Sequence, residues 1–199
     1  MTQQLLSAGR SSVFQLISID YGFYFYVVSL VFLLPLPWLI SSLTAAVLHE
    51  LGHLAAAKCM KLEIHGIRLE VGGARIICEP PNNTQSLITA IAGPIVGFLL
   101  CFLFPCFPKI AFCGFLQSMF NLIPIIPFDG GRILLSVCNT LLGQERGERI
   151  YHYLSICFLI IAGILLYAKF HTVWLWFIIC IPAVLGFLGH KKKLLAMRL

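Results

Sequence analysis

The sequence predicts an all-α polytopic membrane protein with about six transmembrane helices and a small membrane-associated β-hairpin between the second and third. Its 199 residues are 59% hydrophobic and only 11% charged, whereas a soluble domain carries about 25% charged residues. The mean hydropathy is +0.93. Apolar stretches long enough to cross a bilayer recur along the chain, and polar or proline-containing segments separate them.

The boundaries of the predicted helices follow from these interruptions. The first apolar stretch is too long for one span of about 20 residues, and Pro35 and Pro37 divide it. The polar segment 79–83 and the turn around Lys109 separate the next helices. We expect a single domain over residues 1–199, without a removable signal peptide, a PDZ-like insertion or a nucleotide-sensing domain. The predicted helices cover approximately residues 14–34, 38–58, 85–104, 110–125, 150–168 and 172–189.

The basic residues predict the orientation of these helices. Six spans place both termini on one side of the membrane, together with 12 of the 14 Lys and Arg residues, and leave Lys109 and Lys169 on the other side. The positive-inside rule then makes both termini cytoplasmic. The net charge of +6 therefore reflects topology. No nucleic-acid partner is indicated, because the chain has no basic helix or aromatic-interleaved basic patch.

Residues 64–78 predict the β-hairpin. Hydrophobic and charged residues alternate through Ile67, Arg68 and Leu69, then Gly72 and Gly73 form a turn before a second short run. An amphipathic loop at the membrane interface is the alternative interpretation. As a hairpin, the segment offers a strand edge that could hold an extended peptide.

The segment His49-Glu50-Leu51-Gly52-His53 predicts a metal site, because it is an HExxH motif at the end of a stretch, from 21 to 48, that has no Asp, Glu, Lys, Arg or His. On a helix, both imidazoles lie on one face and can share a metal, while Glu50 can take a proton from a metal-bound water. A structural hydrogen-bonded cluster is the alternative, but ionisable residues within a membrane segment are usually functional.

A catalytic zinc site usually needs a third protein ligand, and Asp129 is the strongest candidate. It follows an apolar run whose prolines and glycines make the backbone irregular, and such backbone at membrane depth normally lines protein or a water-filled cavity. Asp129 could instead cap a helix. Asn121 in the same segment could donate to a substrate carbonyl or oxyanion, or cap a helix break. Weaker ligand candidates are His65, Asp20, Glu145 and Glu148.

Three segments together resemble motifs of the site-2 proteases, a family of intramembrane zinc metalloproteases. Residues 49–53 are similar to the metal helix, residues 92–94 (Ala-Gly-Pro) to the turn before the third core helix, and residues 121–131 to the Asn-Pro-Asp-Gly segment. The hydropathy resemblance covers about residues 14–190. It is closest to the bacterial sporulation type, which processes a membrane-associated pro-sigma factor. Position 97 departs from the family, because Gly97 stands where members often carry Asn.

The resemblance implies one Zn²⁺ per chain and cleavage of a transmembrane or membrane-associated protein in the cell membrane, which would be the inner membrane of a bacterium. It also allows for a membrane-embedded regulator. Two alternatives remain: a small ion or metal transporter that uses the same polar residues, and a non-catalytic membrane scaffold. The implied site residues are His49, His53 and Asp129 for the metal, Glu50 as general base, and Asn121, Gly72 and Gly73 for substrate binding.

Overall fold

The computed structural model describes residues 17–70 and 73–170, which are mostly helical and include one small sheet. A 3₁₀ turn, Leu100–Leu103, continues the third helix. The helices are α1 (Tyr21–Leu33), α2 (Leu36–Cys59), α3 (Asn83–Leu99), α4 (Pro108–Asn121), α5 (Asp129–Leu142) and α6 (Gln144–Phe170), and the strands are β1 (Ile17–Ile19), β2 (Ile64–Glu70) and β3 (Gly73–Cys78).

The predicted helical class and the small sheet are confirmed, but three details of the prediction were wrong. Residues 92–94, which resemble a turn before the third core helix, lie inside α3. Residues Ile17–Ile19, predicted as part of the first helix, form β1. The helix Asp129–Leu142 was not predicted, because it is short and its polar residues interrupt any long apolar run. The helix predicted at 172–189 and the turn residue Gly72 lie outside the described residues.

The described part contains three helices that are long and apolar enough to cross a membrane, at Leu36–Cys59, Asn83–Leu103 and Gln144–Lys169. Large apolar side chains are exposed on several helices, among them Phe32 and Phe102. Exposed apolar faces of this extent suit a lipid environment better than water. The chain is therefore a multi-pass membrane protein, and the total of six spans stays a prediction.

Strands β2 and β3 lie between α2 and α3 in the sequence, whereas β1 precedes α1, and the sheet has the strand order β1-β2-β3. Strands β2 and β3 are antiparallel, with Ile67 opposite Ile76, and an irregularity near Gly66 interrupts the register. The predicted hairpin at 64–78 therefore corresponds to two paired strands. Strand β1 pairs in parallel with β2 on the far side, so that β3 is an edge strand.

Helix α3 is central to the helical core, because it packs against α2, α4 and α5. Small residues let these helices approach closely, and Ala45, Ala90 and Ala111 are almost completely buried. The start of α3 is fixed by a capping box, in which the side chain of Asn82 accepts from the Gln85 backbone N–H and the Gln85 side chain accepts from Asn82 N–H. This arrangement brings the second turn of α3 alongside the HExxH motif.

Candidate metal centre

Helix α2 carries both histidines of the HExxH motif to the interior of the helical core. His49 and His53 are 1% and 5% exposed, and their ring centroids are 4.9 Å apart. The spacing of four residues places both imidazoles on one face of α2. That face packs against α3.

Asp129 completes a triangle with these two imidazoles. Its Oδ2 atom is 3.1 Å from Nε2 of His49 and 3.1 Å from Nε2 of His53, and the two Nε2 atoms are 3.2 Å apart. Ligands of a tetrahedral zinc ion with bonds of about 2.0–2.1 Å are about 3.3–3.4 Å from one another. The three donor atoms are therefore spaced almost as they would be around one such ion, and they are the group within the described residues whose atoms fit a shared metal.

The hydrogen bonding of His53 tests whether a cation fits this triangle. Its Nδ1 lies 2.7 Å from the backbone oxygen of Thr89, so Nδ1–H donates to that oxygen. A neutral His53 then has an unprotonated Nε2. This lone pair faces the Asp129 carboxylate, which also offers only lone pairs when ionised. A cation between them resolves this conflict, and two imidazoles with one carboxylate suit a zinc ion.

His49 has a different environment from His53. The side-chain nitrogen of Asn121 lies 3.0 Å from Nε2 of His49, which places this amide beside the metal triangle. The Nδ1 atom of His49 is buried and has no hydrogen-bond partner among the residues that the structure describes. The backbone oxygen of Thr89 therefore fixes the ring orientation of His53, whereas the polar contacts of His49 within the described residues are made at Nε2.

Glu50 lies between the metal triangle and the β-hairpin. It interacts electrostatically with both histidines and with Asp129, and the backbone N–H of Ala74 donates to its carboxylate. Gly73, at the start of β3, has a φ of +123°, and a Cβ at this position would collide with Oε1 of Glu50. The absence of a side chain at Gly73 thus lets the hairpin approach Glu50.

The loop of residues 122–128 between α4 and α5, which we name the α4–α5 loop, delivers Asp129 to the triangle. Asp129 is the first residue of α5 and is 7% exposed. Its second carboxylate oxygen, Oδ1, lies 3.6 Å from Nη1 of Arg132. Arg132 thus stabilises the charge of Asp129 without occupying the oxygen that faces the histidines.

Gly93 on α3 provides the space in which the two imidazoles meet. A Cβ there would collide with Nε2 and Cε1 of His53 and would lie 2.7 Å from Nε2 of His49. The sequence marks Gly93 only as part of the Ala-Gly-Pro segment. Its steric role becomes visible only when α3 is packed against α2.

The remaining candidates lie apart from the triangle. His65 is exposed on β2, and Glu145 is exposed at the start of α6. Asp20 is the N-cap of α1, and Glu148 lies on α6. Among the described residues, Asp129 is thus the acidic residue that the structure groups with His49 and His53.

Some residues around the site were missed by the sequence reasoning. Thr89 supplies a backbone oxygen to His53, which no side-chain pattern can reveal. Tyr151 and Ser155 on α6 bond to the backbone of the α4–α5 loop. Their spacing of four residues places them on one helix face, and this spacing was the signal in the sequence that could have identified them. Their partners, however, depend on the tertiary fold.

Comparisons with known proteins bear on this geometry. The model of "Peptidase family M50" matches residues 104–162, which include Asn121 and Asp129. A Methanocaldococcus jannaschii protein named as a zinc metalloprotease is 31% identical over 121 residues. The resemblance to the site-2 proteases is confirmed. The solved structure of a site-2 protease from Methanocaldococcus jannaschii shares the fold, with a TM-score of 0.62 and 22% identity, and covers 85% of this chain and 88% of that one.

The similarity extends to two further relatives. A Synechocystis protein named as a candidate zinc metalloprotease is 32% identical over 132 residues. Stage IV sporulation protein FB of Bacillus subtilis is 27% identical over 139 residues, which are 63% of this chain. The chain spans less than half the length of these curated relatives, since the alignments cover 35%, 35% and 48% of the Synechocystis, Methanocaldococcus and Bacillus proteins.

Proposed function

We propose that this chain is an intramembrane zinc metalloprotease, which hydrolyses a peptide bond in or near a transmembrane segment of a membrane-bound protein. The observation that carries the proposal is the buried triangle of His49, His53 and Asp129, with Glu50 beside it. The relatives named as zinc metalloproteases support zinc as the metal, and the single triangle within the described residues supports one ion per chain. A transporter or a scaffold needs no general base at this position.

The chain's own residues have separate roles in this proposal. Zinc, when bound, polarises the scissile carbonyl and lowers the pKa of a water. Glu50 takes the proton of the attacking water and delivers it to the leaving amine. Asn121, whose amide lies beside the triangle, donates to the oxygen on which negative charge develops. His53 keeps its ligating nitrogen unprotonated through its bond to Thr89.

We further propose that the substrate lies along the edge strand β3 as an extended chain. A transmembrane helix must unwind locally before cleavage, because its carbonyl groups are otherwise hydrogen-bonded within the helix. Strand addition gives such a segment new backbone partners. The start of β3 contacts Glu50 through Gly73 and Ala74, so a strand held there would pass close to the base.

The proposed orientation puts the centre in the cytoplasmic half of α2. His49 lies 13 residues after Leu36, which corresponds to about 20 Å along the helix. At the opposite end, Lys109 lies over the ring of Trp38 at 5.8 Å from the centroid. A tryptophan paired with a basic residue is typical of a membrane interface. Water would therefore reach the metal from the cytoplasmic side, where we also place both termini.

The test combines metal content with cleavage. Wild type, Glu50→Gln, Asp129→Ala and the control Glu63→Gln would be purified in detergent. Zinc per chain would be quantified, and each protein would be incubated with a panel of single-span membrane proteins. Glu63 is a suitable control because it is exposed in the connection after α2.

We expect about one zinc per chain in wild type and in both glutamate variants, with cleavage only by wild type and Glu63→Gln. Asp129→Ala should lose most of its zinc, because a metal ligand has been removed. Retained cleavage by Glu50→Gln would exclude it as the base. No bound metal in wild type would favour either a transporter or a structural cluster. A flux assay in vesicles would then distinguish these two alternatives.

A further inference from the structure

The α4–α5 loop is non-helical backbone next to a membrane-spanning helix. The bond from Ile126 N–H to the hydroxyl of Tyr151 lies about 10 Å along α6 from its first residue. Backbone groups that are buried away from water need partners from the protein. Pro124 and Pro127 donate no hydrogen bonds, so the loop cannot close a regular helical turn. The loop makes two backbone bonds within itself, from Ile125 N–H to the oxygen of Ile123 and from Phe128 N–H to the oxygen of Ile125, so bonds from outside the loop are what join it to α6.

Two hydroxyl groups of α6 supply these bonds. The backbone N–H of Ile126 donates to the hydroxyl of Tyr151 at 2.9 Å, and the Ser155 hydroxyl donates to the backbone oxygen of Pro124 at 2.9 Å. Tyr151 and Ser155 are 3% and 6% exposed. Both side chains project from the same face of α6 and are close enough to interact with each other.

The opposite side of the loop is held by the first turn of α5. A Cβ on Gly131 would collide with the backbone of Ile125 and Ile126, so this turn packs directly against the loop. The backbone N–H of Gly131 also donates to the oxygen of Phe128 at 3.1 Å. The loop segment that ends at Asp129 is thus fixed between α5 and the two hydroxyls of α6.

We propose that Tyr151 and Ser155 are positioning residues for Asp129, which act through the α4–α5 loop to set the carboxylate at its distance from His49 and His53. This inference rests on the proposed metal-binding function of the triangle. Within the described residues, their hydrogen bonds to the loop go to Ile126 and Pro124 and not to a metal ligand. Their effect should therefore appear in metal affinity and ligand geometry, because residues that orient a ligand commonly change affinity by 10–100-fold.

The test uses Tyr151→Phe, Ser155→Ala and the control Tyr153→Phe. Tyr153 lies on the same helix and is 65% exposed. Zn²⁺ affinity would be measured in detergent against a competing chelator, and the visible absorption spectrum of the Co²⁺-substituted protein would report the ligand geometry. Thermal unfolding of the metal-free proteins would report stability separately from metal binding.

We expect Tyr151→Phe and Ser155→Ala each to weaken Zn²⁺ binding by 10–100-fold and to alter the Co²⁺ spectrum, while Tyr153→Phe matches wild type. Affinities within threefold of wild type, with an unchanged spectrum, would overturn the proposal. Lower metal-free stability with an unchanged spectrum would also overturn it, since that result indicates a purely structural role. Failure of wild type to bind Zn²⁺ would instead overturn the proposed function, and this inference with it.

Discussion

Replacement of Gly93 by alanine is the sharpest test of the metal triangle, because it adds one methyl group where the two imidazoles meet. The new Cβ would lie 2.7 Å from Nε2 of His49 and closer still to Nε2 of His53, whereas ordinary contact begins at 3.4 Å. His49 would have to retreat by about 0.7 Å, and His53 by more. Metal-ligand distances tolerate only about 0.2 Å. We therefore expect zinc affinity to fall at least 100-fold, which equals about 2.7 kcal/mol.

The matched control is Gly114→Ala on α4. Its Cβ would lie 2.7 Å from Cδ1 of Leu100, so it creates a milder overlap away from the metal ligands. Zinc affinity would be measured for both variants against a chelator, and thermal unfolding of the metal-free proteins would report packing. We expect both variants to lose stability but only Gly93→Ala to lose zinc. The reasoning is refuted if Gly93→Ala binds zinc within threefold of wild type, or if Gly114→Ala loses zinc equally.

Two further predictions concern the residues around the triangle. Asn121→Ala should lower kcat by about 10²–10³ with little change in zinc content, because it removes a donor to the developing oxyanion. Single-turnover cleavage and metal analysis would check this prediction. A loss of zinc would show instead that Asn121 holds His49 in position. Gly73→Ala should lower cleavage at least tenfold while zinc stays bound, because its φ of +123° disfavours a side chain and the new Cβ would displace the Glu50 carboxylate. Cleavage assays at equal zinc occupancy would measure this effect, and an unchanged rate would argue against a functional contact between the hairpin and Glu50.

The metal centre could be predicted because its charged and imidazole side chains are unusual in an apolar segment. His49, Glu50 and His53 stand out because the preceding stretch has no Asp, Glu, Lys, Arg or His, and a membrane segment rarely carries such groups without a function. Asp129 stands out for the same reason. The structure brings the four residues together although 76 positions separate Asp129 from His53. Their roles as ligands and base stay predictions that the experiments above test.

The helix α5 and strand β1 could not be predicted by the same reasoning. Hydropathy detects long apolar runs, whereas α5 is 14 residues long and begins with Asp-Gly-Gly-Arg. Strand β1 is only three residues long, and its partner is β2, about 50 positions away, in a parallel pairing. Such pairing depends on the tertiary fold, because no local turn connects the two strands. Short elements of this kind are defined by what they pack against.

The packing around Gly97 explains why this chain has glycine at a position where the site-2 proteases often have asparagine. The site-2 proteases often carry Asn here, but a Cβ on Gly97 would collide with Oγ of Ser118 and lie 2.8 Å from the backbone oxygen of Gly114. Helices α3 and α4 therefore cross at small residues, as membrane helices commonly do. An amide side chain could enter only if α4 moved away, and α4 ends at Asn121 beside His49. The small residue at position 97 thus belongs to the packing that places Asn121 at the metal centre.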